Sequence, residues 1–290
     1  MTSPRGPETL TLLQWNIGNF DVRLHPLGGG PRGMRYSYAS ASREEDLEDL
    51  AADLRRENPD VAALQEVVVK SGHHARLAEL SGYTLAAAGG PDDRHTQAIL
   101  VRRGLEFSPG PAPKGFRGVT ARIRAGGREI VAVSTHSAAG HFTAARAAQH
   151  RALAAWASEF SRKTPVLAAG DFNFDENPES MHGWLHGLPR KIPGFPQVAC
   201  SDWEEDRAGL RALRGALQDL GAAAGPTTGA PRFWPRILLP WAAPLLPLAW
   251  LLGIGRRRSR LDYVWASADL KGVETRVLPL TGSGRPAPGA

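Results

Sequence analysis

The segment from Thr164 to Asp175, TPVLAAGDFNFD, constrains this chain more than any other stretch. Pro165 to Ala169 is a short apolar run of the kind that forms a buried strand, and Gly170 after it gives the backbone freedom to turn. Asp171 and Asn173 stand two apart at the strand's C-terminal end, on one side of it if the chain is still extended. A carboxylate and a carboxamide projecting together from a strand end suit a phosphate-and-metal site. The same residue types also build surface Asx turns, so the tetrapeptide GDFN alone leaves both readings open.

Other segments repeat the pattern. Leu10 to Ile17 is β-like and partly apolar on both faces, with Asn16 near its end. Asp60 to Glu66 reads as a strand ending in a carboxylate, and a glutamate directly after Val-Ala-Ala-Leu-Gln needs a cation or a donor if it is buried. Strands over 118–123 and 129–135 flank a hairpin turn at 125–128, and the second delivers His136 at its end. Asp262 opens the last clear strand, 261–266. Further strands are expected over 96–101 and 273–278. Helices are expected from Ser42 to about Asn58, capped by Ser42 with Glu45 and stopped by Pro59, and over 74–81, 142–160 and 203–220. The strand–helix–strand order around 142–160 implies a helix covering one sheet. Residues 21–43, rich in Gly, Ser and Arg, form a loop or a substrate-facing excursion longer than a compact domain needs.

Asn16, Glu66, His136, Asp171, Asn173 and Asp262 thus all fall at or near strand ends, where active groups gather on one rim of a sheet. The acids suit a hard divalent cation, Mg²⁺ with Mn²⁺ as the alternative. Histidine adds a group for proton transfer or phosphate contact. Cys200 is the sole cysteine, which excludes an intrachain disulfide framework and a cysteine-built zinc site. The formal charge of +6 favours an anionic partner, either nucleic acid or an acidic membrane.

Ile237 to Ile254 carries no charged residue and is interrupted by Pro240, Pro244 and Pro247. Those prolines argue against one straight membrane-spanning helix. Trp241 and Trp250, followed by Arg256, Arg257 and Arg258, make a candidate interfacial anchor for a membrane or partner, with Arg260 extending the basic cluster. A cover over the sheet, an oligomer contact and a true span are the competing readings. No signal peptide is recognisable at the start, and the expected location is cytoplasmic with peripheral membrane association as an option. No obligate protein partner is implied.

LLQWNIGNF at 12–20, ALQEV at 63–67, VSTHSAAG at 133–140, VLAAGDFNFD at 166–175 and SRLDYVWAS at 259–267 together resemble the endonuclease/exonuclease/phosphatase superfamily. That group includes pancreatic-type deoxyribonucleases, abasic-site endonucleases, inositol polyphosphate phosphatases and bacterial sphingomyelinases. The resemblance implies a four-layer α/β/β/α sandwich of two facing mixed β-sheets with outer helices. It implies a single domain over 10–280, with 237–254 inserted and flexible tails at 1–9 and 281–290. It further implies Glu66 as principal metal ligand supported by Asn16, and Asp171 orienting or deprotonating the attacking water. Asn173 would hold a phosphoryl oxygen or the water, and His136 would meet the scissile phosphate or the leaving group. Asp262 would orient a second histidine near the C-terminus. The implied activity is divalent-metal-dependent phosphodiester hydrolysis, most simply of DNA or RNA, or alternatively of phospholipid or sphingolipid at an anionic membrane.

One departure stands out. Members of this group end in Ser-Asp-His, another residue and proline, whereas the nearest text here is Gly282-Ser283-Gly284-Arg285-Pro286. An altered C-terminus, a substitute such as His141, His182 or His186, or a catalytically weak or inactive member would each account for it.

Overall fold

In a computed structural model of the chain, the structure describes residues 9–17, 44–67, 69, 72–90, 96–138, 143–177, 203–223, 227, 260–270 and 274–275. The elements in order are β1 (Leu12–Asn16), α1 (Glu44–Glu57), β2 (Val61–Val67), α2 (His73–Ser81), β3 (Tyr83–Ala88), β4 (Thr96–Arg102), β5 (Glu106–Pro109), β6 (Gly118–Ala125), β7 (Arg128–His136), α3 (Thr143–Phe160), β8 (Val166–Asp171), α4 (Trp203–Ala216), β9 (Gln218–Asp219) and β10 (Asp262–Ala266). They form a four-stranded sheet ordered β1-β2-β4-β3 and a six-stranded sheet ordered β5-β6-β7-β8-β10-β9. The β1–β2 and β7–β8 pairs are parallel, whereas β2–β4 and β8–β10 run antiparallel, so both sheets are mixed.

Strand alternation divides the apolar residues among three strata. Outside the smaller sheet, Leu47, Ala51 and Leu54 of α1 and Leu77 of α2 pack on Ala62, Leu64, Ala98 and Leu100. Outside the larger sheet, Leu153 and Ala157 of α3 and Leu210 and Leu213 of α4 pack on Val131, Val133, Val166, Ala168 and Trp265. Between the sheets lie Val61, Ile99, Val101, Val119, Ala121, Ile123, Ile130 and Ala132. The result is the expected α/β/β/α sandwich, with two sheets sharing a core and each covered by helices on its far side.

Gly170 plays a different part from the turn expected of it. It lies inside β8, between Thr135 on β7 and Tyr263 on β10. A Cβ there would come 1.9 Å from the Thr135 carbonyl oxygen. Close approach of two backbones, rather than a bend, demands the glycine. The bend comes later, at Asn173, whose φ is 52°.

Three elements escape a reading by pattern, one of them β9, whose Gln218–Asp219 falls in the stretch expected as helix to 220 although α4 ends at Ala216. The run YTLAAA of β3 lacks a marked alternation, and all four residues of β5 are exposed on an edge ending at Pro109. The anticipated cap at Ser42, the excursion over 21–43 and the insertion at 237–254 lie outside the described residues, as does most of the 273–278 segment.

α3 is fixed to α4 and to the loop after β7 partly by charge. Arg146 is fully buried and donates from Nε and Nη2 to the two oxygens of Asp206 on α4, at 2.8 and 2.6 Å. Its Nη1 donates to the Ala138 carbonyl at 2.8 Å, and Gln149 accepts the Ala138 N–H at 2.9 Å. One turn further on, His150 Nε2 meets Ser137 Oγ at 3.1 Å. Burial, followed by the Arg146 charge, pushes the His150 imidazole down to about 3.

 The ring therefore stays neutral in the folded protein and serves as a packing and hydrogen-bonding group, 5.3 Å from the Phe172 ring. In this way α3 grips the loop that follows β7, which is the loop beside His136.

Removing one member of the buried pair leaves the other charge without its counter-ion. Asp206→Ala is expected to lower the unfolding free energy in urea by about 3–5 kcal/mol. Replacing both residues, as Arg146→Met with Asp206→Leu, is expected to recover most of that loss.

Candidate active site

The rim of the sandwich is built from inward-facing positions at one end of β1, β7, β8 and β10. Along these strands the inner face runs Leu12, Gln14, Asn16; Ile130, Ala132, Ser134, His136; Leu167, Ala169, Asp171; and Ala266, Val264, Asp262. Each strand passes from apolar to polar toward the same end. His136 and Asp171 are partners on β7–β8, and Asp171 and Asp262 are partners on β8–β10. The three therefore lie in a row across neighbouring strands.

Glu66 joins them by a bulge. Alternation would turn it outward, because Gln65 faces inward, but the β2–β4 register shifts between Gln65 and Val67 and Glu66 adopts φ 58°. An extra residue in a strand re-aims a side chain, and here it brings a carboxylate to the rim. Asn16 Nδ2 then donates to Glu66 Oε1 and to Asp171 Oδ2, at 3.0 Å each. His136 Nε2 stands 3.8 Å from Asp171 Oδ2. Glu66, His136 and Asp171 each present one ligand atom within 4.8 Å of the others.

Asn173 closes the loop behind Asp171. Its N–H donates to Asp171 Oδ1 at 2.8 Å, and its Nδ2 donates to the Ser137 carbonyl at 2.9 Å. The segment is an Asx turn and also part of the rim, so the two readings of GDFN describe one object.

Burial concentrates charge here. The Asp171 carboxyl is pushed up to about 6 by burial, against the Asn173 N–H and the Asn16 amide that favour its ionised form. Asp262 is pushed up to about 7, first by burial and then by the Asp171 charge. His136 is pushed down to about 4 by burial and by the Arg117 guanidinium. Crowded buried carboxyls of this kind resist joint ionisation unless a cation is supplied. Two carboxylates and an imidazole, with a carboxamide between the carboxylates, form an oxygen-dominated donor set that fits a divalent cation.

Several contributors are not among the expected site residues, although three of them lie within the family-like segments 12–20, 63–67 and 133–140. Gln14, Gln65 and Ser134 are polar at inward positions of apolar strands, and Arg117 precedes β6 opposite the end of β7. The signal for the first three is the period of two itself. Arg260 differs from its expected place in an exposed basic cluster. It is partly buried, donates from Nη1 to Asp219 at 2.8 Å, and lies 4.2 Å from the Tyr263 ring centroid, so it belongs to the fold. Trp241, Trp250, Arg256, Arg257 and Arg258 lie outside the described residues, as do His141, His182 and His186. Among the described residues no helix is long and apolar enough to cross a membrane.

Residues 13–283 match the model of the Endonuclease/Exonuclease/phosphatase family, and the chain belongs to that family. A search of curated proteins returned no match. Among solved structures, TDP2 from C. elegans aligns with a TM-score of 0.58 at 16% identity, covering 95% of this chain and 70% of that one. TDP2 from D. rerio, solved with a single-strand DNA product, aligns with a TM-score of 0.55 at 15% identity, covering 96% and 94%. A mannosyl-6-phosphatase from Bacteroides thetaiotaomicron gives 0.50 at 16% identity, covering 90% and 86%. These similarities establish the shared fold. Family membership and the Glu66–His136–Asp171 cluster together support a divalent-metal-dependent hydrolase.

Asn16→Asp places a third carboxylate against Glu66 and Asp171. Carboxyls crowded in this way have raised pKa values in the folded state, so stability is retained below the unfolded value near 4 and declines as pH rises through the folded values. Relative to the parent protein, the variant is expected to melt several degrees lower at pH 7.5 and to close most of that gap by about pH 5. Paired melting curves at the two pH values measure the difference.

Proposed function

We propose that the protein is a divalent-metal-dependent phosphodiester hydrolase acting on nucleic acid. The observation that carries this reading is the convergence of Glu66, His136 and Asp171 within 4.8 Å, with Asn16 bridging the two carboxylates. Glu66 is the principal ligand in this proposal, with Asn16 fixing its direction. A bound Mg²⁺ or Mn²⁺ supplies Lewis-acid stabilisation of the charge that develops on the phosphoryl group. Asp171, anchored at one oxygen by the Asn173 N–H and at the other by Asn16, orients the attacking water and accepts its proton. His136, neutral in its buried setting, hydrogen-bonds a phosphoryl oxygen or the departing oxygen. Asn173 holds the loop against Ser137 and presents its carboxamide at the phosphate end, and Asp262 sustains the row beside Asp171.

Nucleic acid is favoured as substrate by the +6 formal charge and a sequence pI near 9.9. The DNA product bound to the D. rerio relative agrees with that choice, while the phosphatase neighbour shows that the fold alone does not make it. Purified protein with Mg²⁺ or Mn²⁺ is expected to cleave plasmid or single-stranded DNA. Chelation is expected to abolish cleavage, and Glu66→Ala to reduce kcat/KM by about a thousandfold. No cleavage of DNA or RNA across several metals and pH values would defeat the proposal.

A second reading, hydrolysis of a phospholipid or sphingolipid, is favoured by one contact. Thr227 Oγ1 accepts the N–H groups of Leu261 and Asp262 at 3.2 and 3.1 Å, so the two described ends of the stretch containing Trp241, Trp250 and Arg256–Arg258 meet beside Asp262. On this reading the protein floats with anionic liposomes, and Trp241→Ala with Trp250→Ala weakens flotation. Recovery entirely in the soluble fraction on both anionic and neutral liposomes removes it.

A further inference from the structure

Behind the rim, a chain of hydrogen bonds crosses from one sheet to the other. Ser134 Oγ on β7 donates to the Leu64 carbonyl on β2 at 2.8 Å. Gln65 Nε2 donates to Ser134 Oγ at 2.9 Å and to the Ala63 carbonyl at 3.1 Å. Gln65 Oε1 in turn accepts from Gln14 Nε2 at 2.8 Å, and the same Gln14 nitrogen donates to Asp262 Oδ1, also at 2.8 Å.

The direction of each link follows from its neighbours. The carbonyls of Leu64 and Ala63 can only accept, so the Ser134 hydroxyl and the Gln65 amide nitrogen must donate toward them. Gln65 is then obliged to turn its oxygen toward Gln14, and Gln14 must present its nitrogen. Rotating either amide by half a turn would set oxygen against oxygen. Gln65 and Ser134 are both fully buried, which keeps water from competing for these bonds. The second Gln14 hydrogen therefore has a fixed destination, the carboxyl of Asp262 on the opposite sheet.

We propose that Gln14 is a positioning residue of the hydrolytic site, holding Asp262 from the facing sheet through this one-way relay. The inference rests on the hydrolase reading given above. It also explains the order of β1, where two successive inward carboxamides divide the acidic groups between them. Asn16 serves Glu66 and Asp171, and Gln14 serves Asp262.

The test uses the full chain with Mn²⁺ and bis(4-nitrophenyl) phosphate, and compares Gln14→Leu, Asp262→Ala and the double variant. Gln14→Leu is expected to lower kcat about tenfold while KM changes by less than about twofold. The double variant is expected to be no slower than Asp262→Ala alone, because the two residues act as one unit. Losses that multiply in the double variant would overturn the assignment.

A second readout does not need turnover. In ¹H–¹⁵N spectra, the Gln14 side-chain amide, identified by its absence in Gln14→Leu, is expected to exchange slowly with solvent and to shift in Asp262→Ala. Rapid exchange in the parent protein, or no shift in Asp262→Ala, would also overturn it. If the parent protein turns over no phosphodiester with any divalent metal, the hydrolase reading fails. The relay is then decided by these amide signals: protection that is lost in Asp262→Ala sustains it, and its absence refutes it.

Discussion

A strand can turn only every second side chain toward a facing sheet, and this restriction governs both the stability and the chemistry of the molecule. Between the two sheets, Val61, Ile99, Ile130 and Ala132 exclude water, and Gln65 and Ser134 occupy inward positions further along β2 and β7. Asn16, His136, Asp171 and Asp262 continue the same columns to the rim. The apolar stratum thus sets the spacing of the sheets, and that spacing brings carboxamide and carboxylate groups from different strands within hydrogen-bonding reach. Change the sheet separation and the rim would lose its geometry before it lost any residue.

The regular pattern is broken at points that matter for the site. Glu66 and Asn173 both adopt left-handed backbone conformations, at φ 58° and 52°. Non-glycine residues pay roughly 1–2 kcal/mol for this conformation. Asn173 offsets part of the cost with its own bonds to Asp171 and Ser137, and its residue type tolerates the region. Glu66 is held by the ladder on both sides of its bulge and by Asn16. The buried Arg146–Asp206 pair and His150 reinforce the neighbouring loop from outside the sheet, so the rim is supported on both of its faces.

Much of this is legible in the sequence. The strands ending in Asn16, Glu66, His136 and Asp171 announce themselves by apolar runs that close on polar residues, and the helix over Thr143–Phe160 by its composition and length. What escaped had a physical cause in each case. Gly170 reads locally as a turn, because sequence does not show the Thr135 carbonyl pressed against it. Glu66 is legible as a site residue, but the bulge that aims it inward is not, since a bulge depends on register with a partner strand. Arg260 reads as one more exposed cation, and only the fold brings Asp219 and Tyr263 to it. Gln14 and Gln65 are ordinary strand residues until β1, β2, β7 and β10 are placed around them.

The Thr227 contact with Leu261 and Asp262 has a topological consequence. The described chain on either side of residues 228–259 meets at one point, so that stretch begins and ends at a single clasp. Closing a loop across a fixed pair of ends costs only about 0.6 kcal/mol more for each doubling of its length. Residues between Thr227 and Arg260 can therefore vary in number and character with little effect on the sandwich. Any new surface they acquire is delivered to one address, the strand end that carries Asp262.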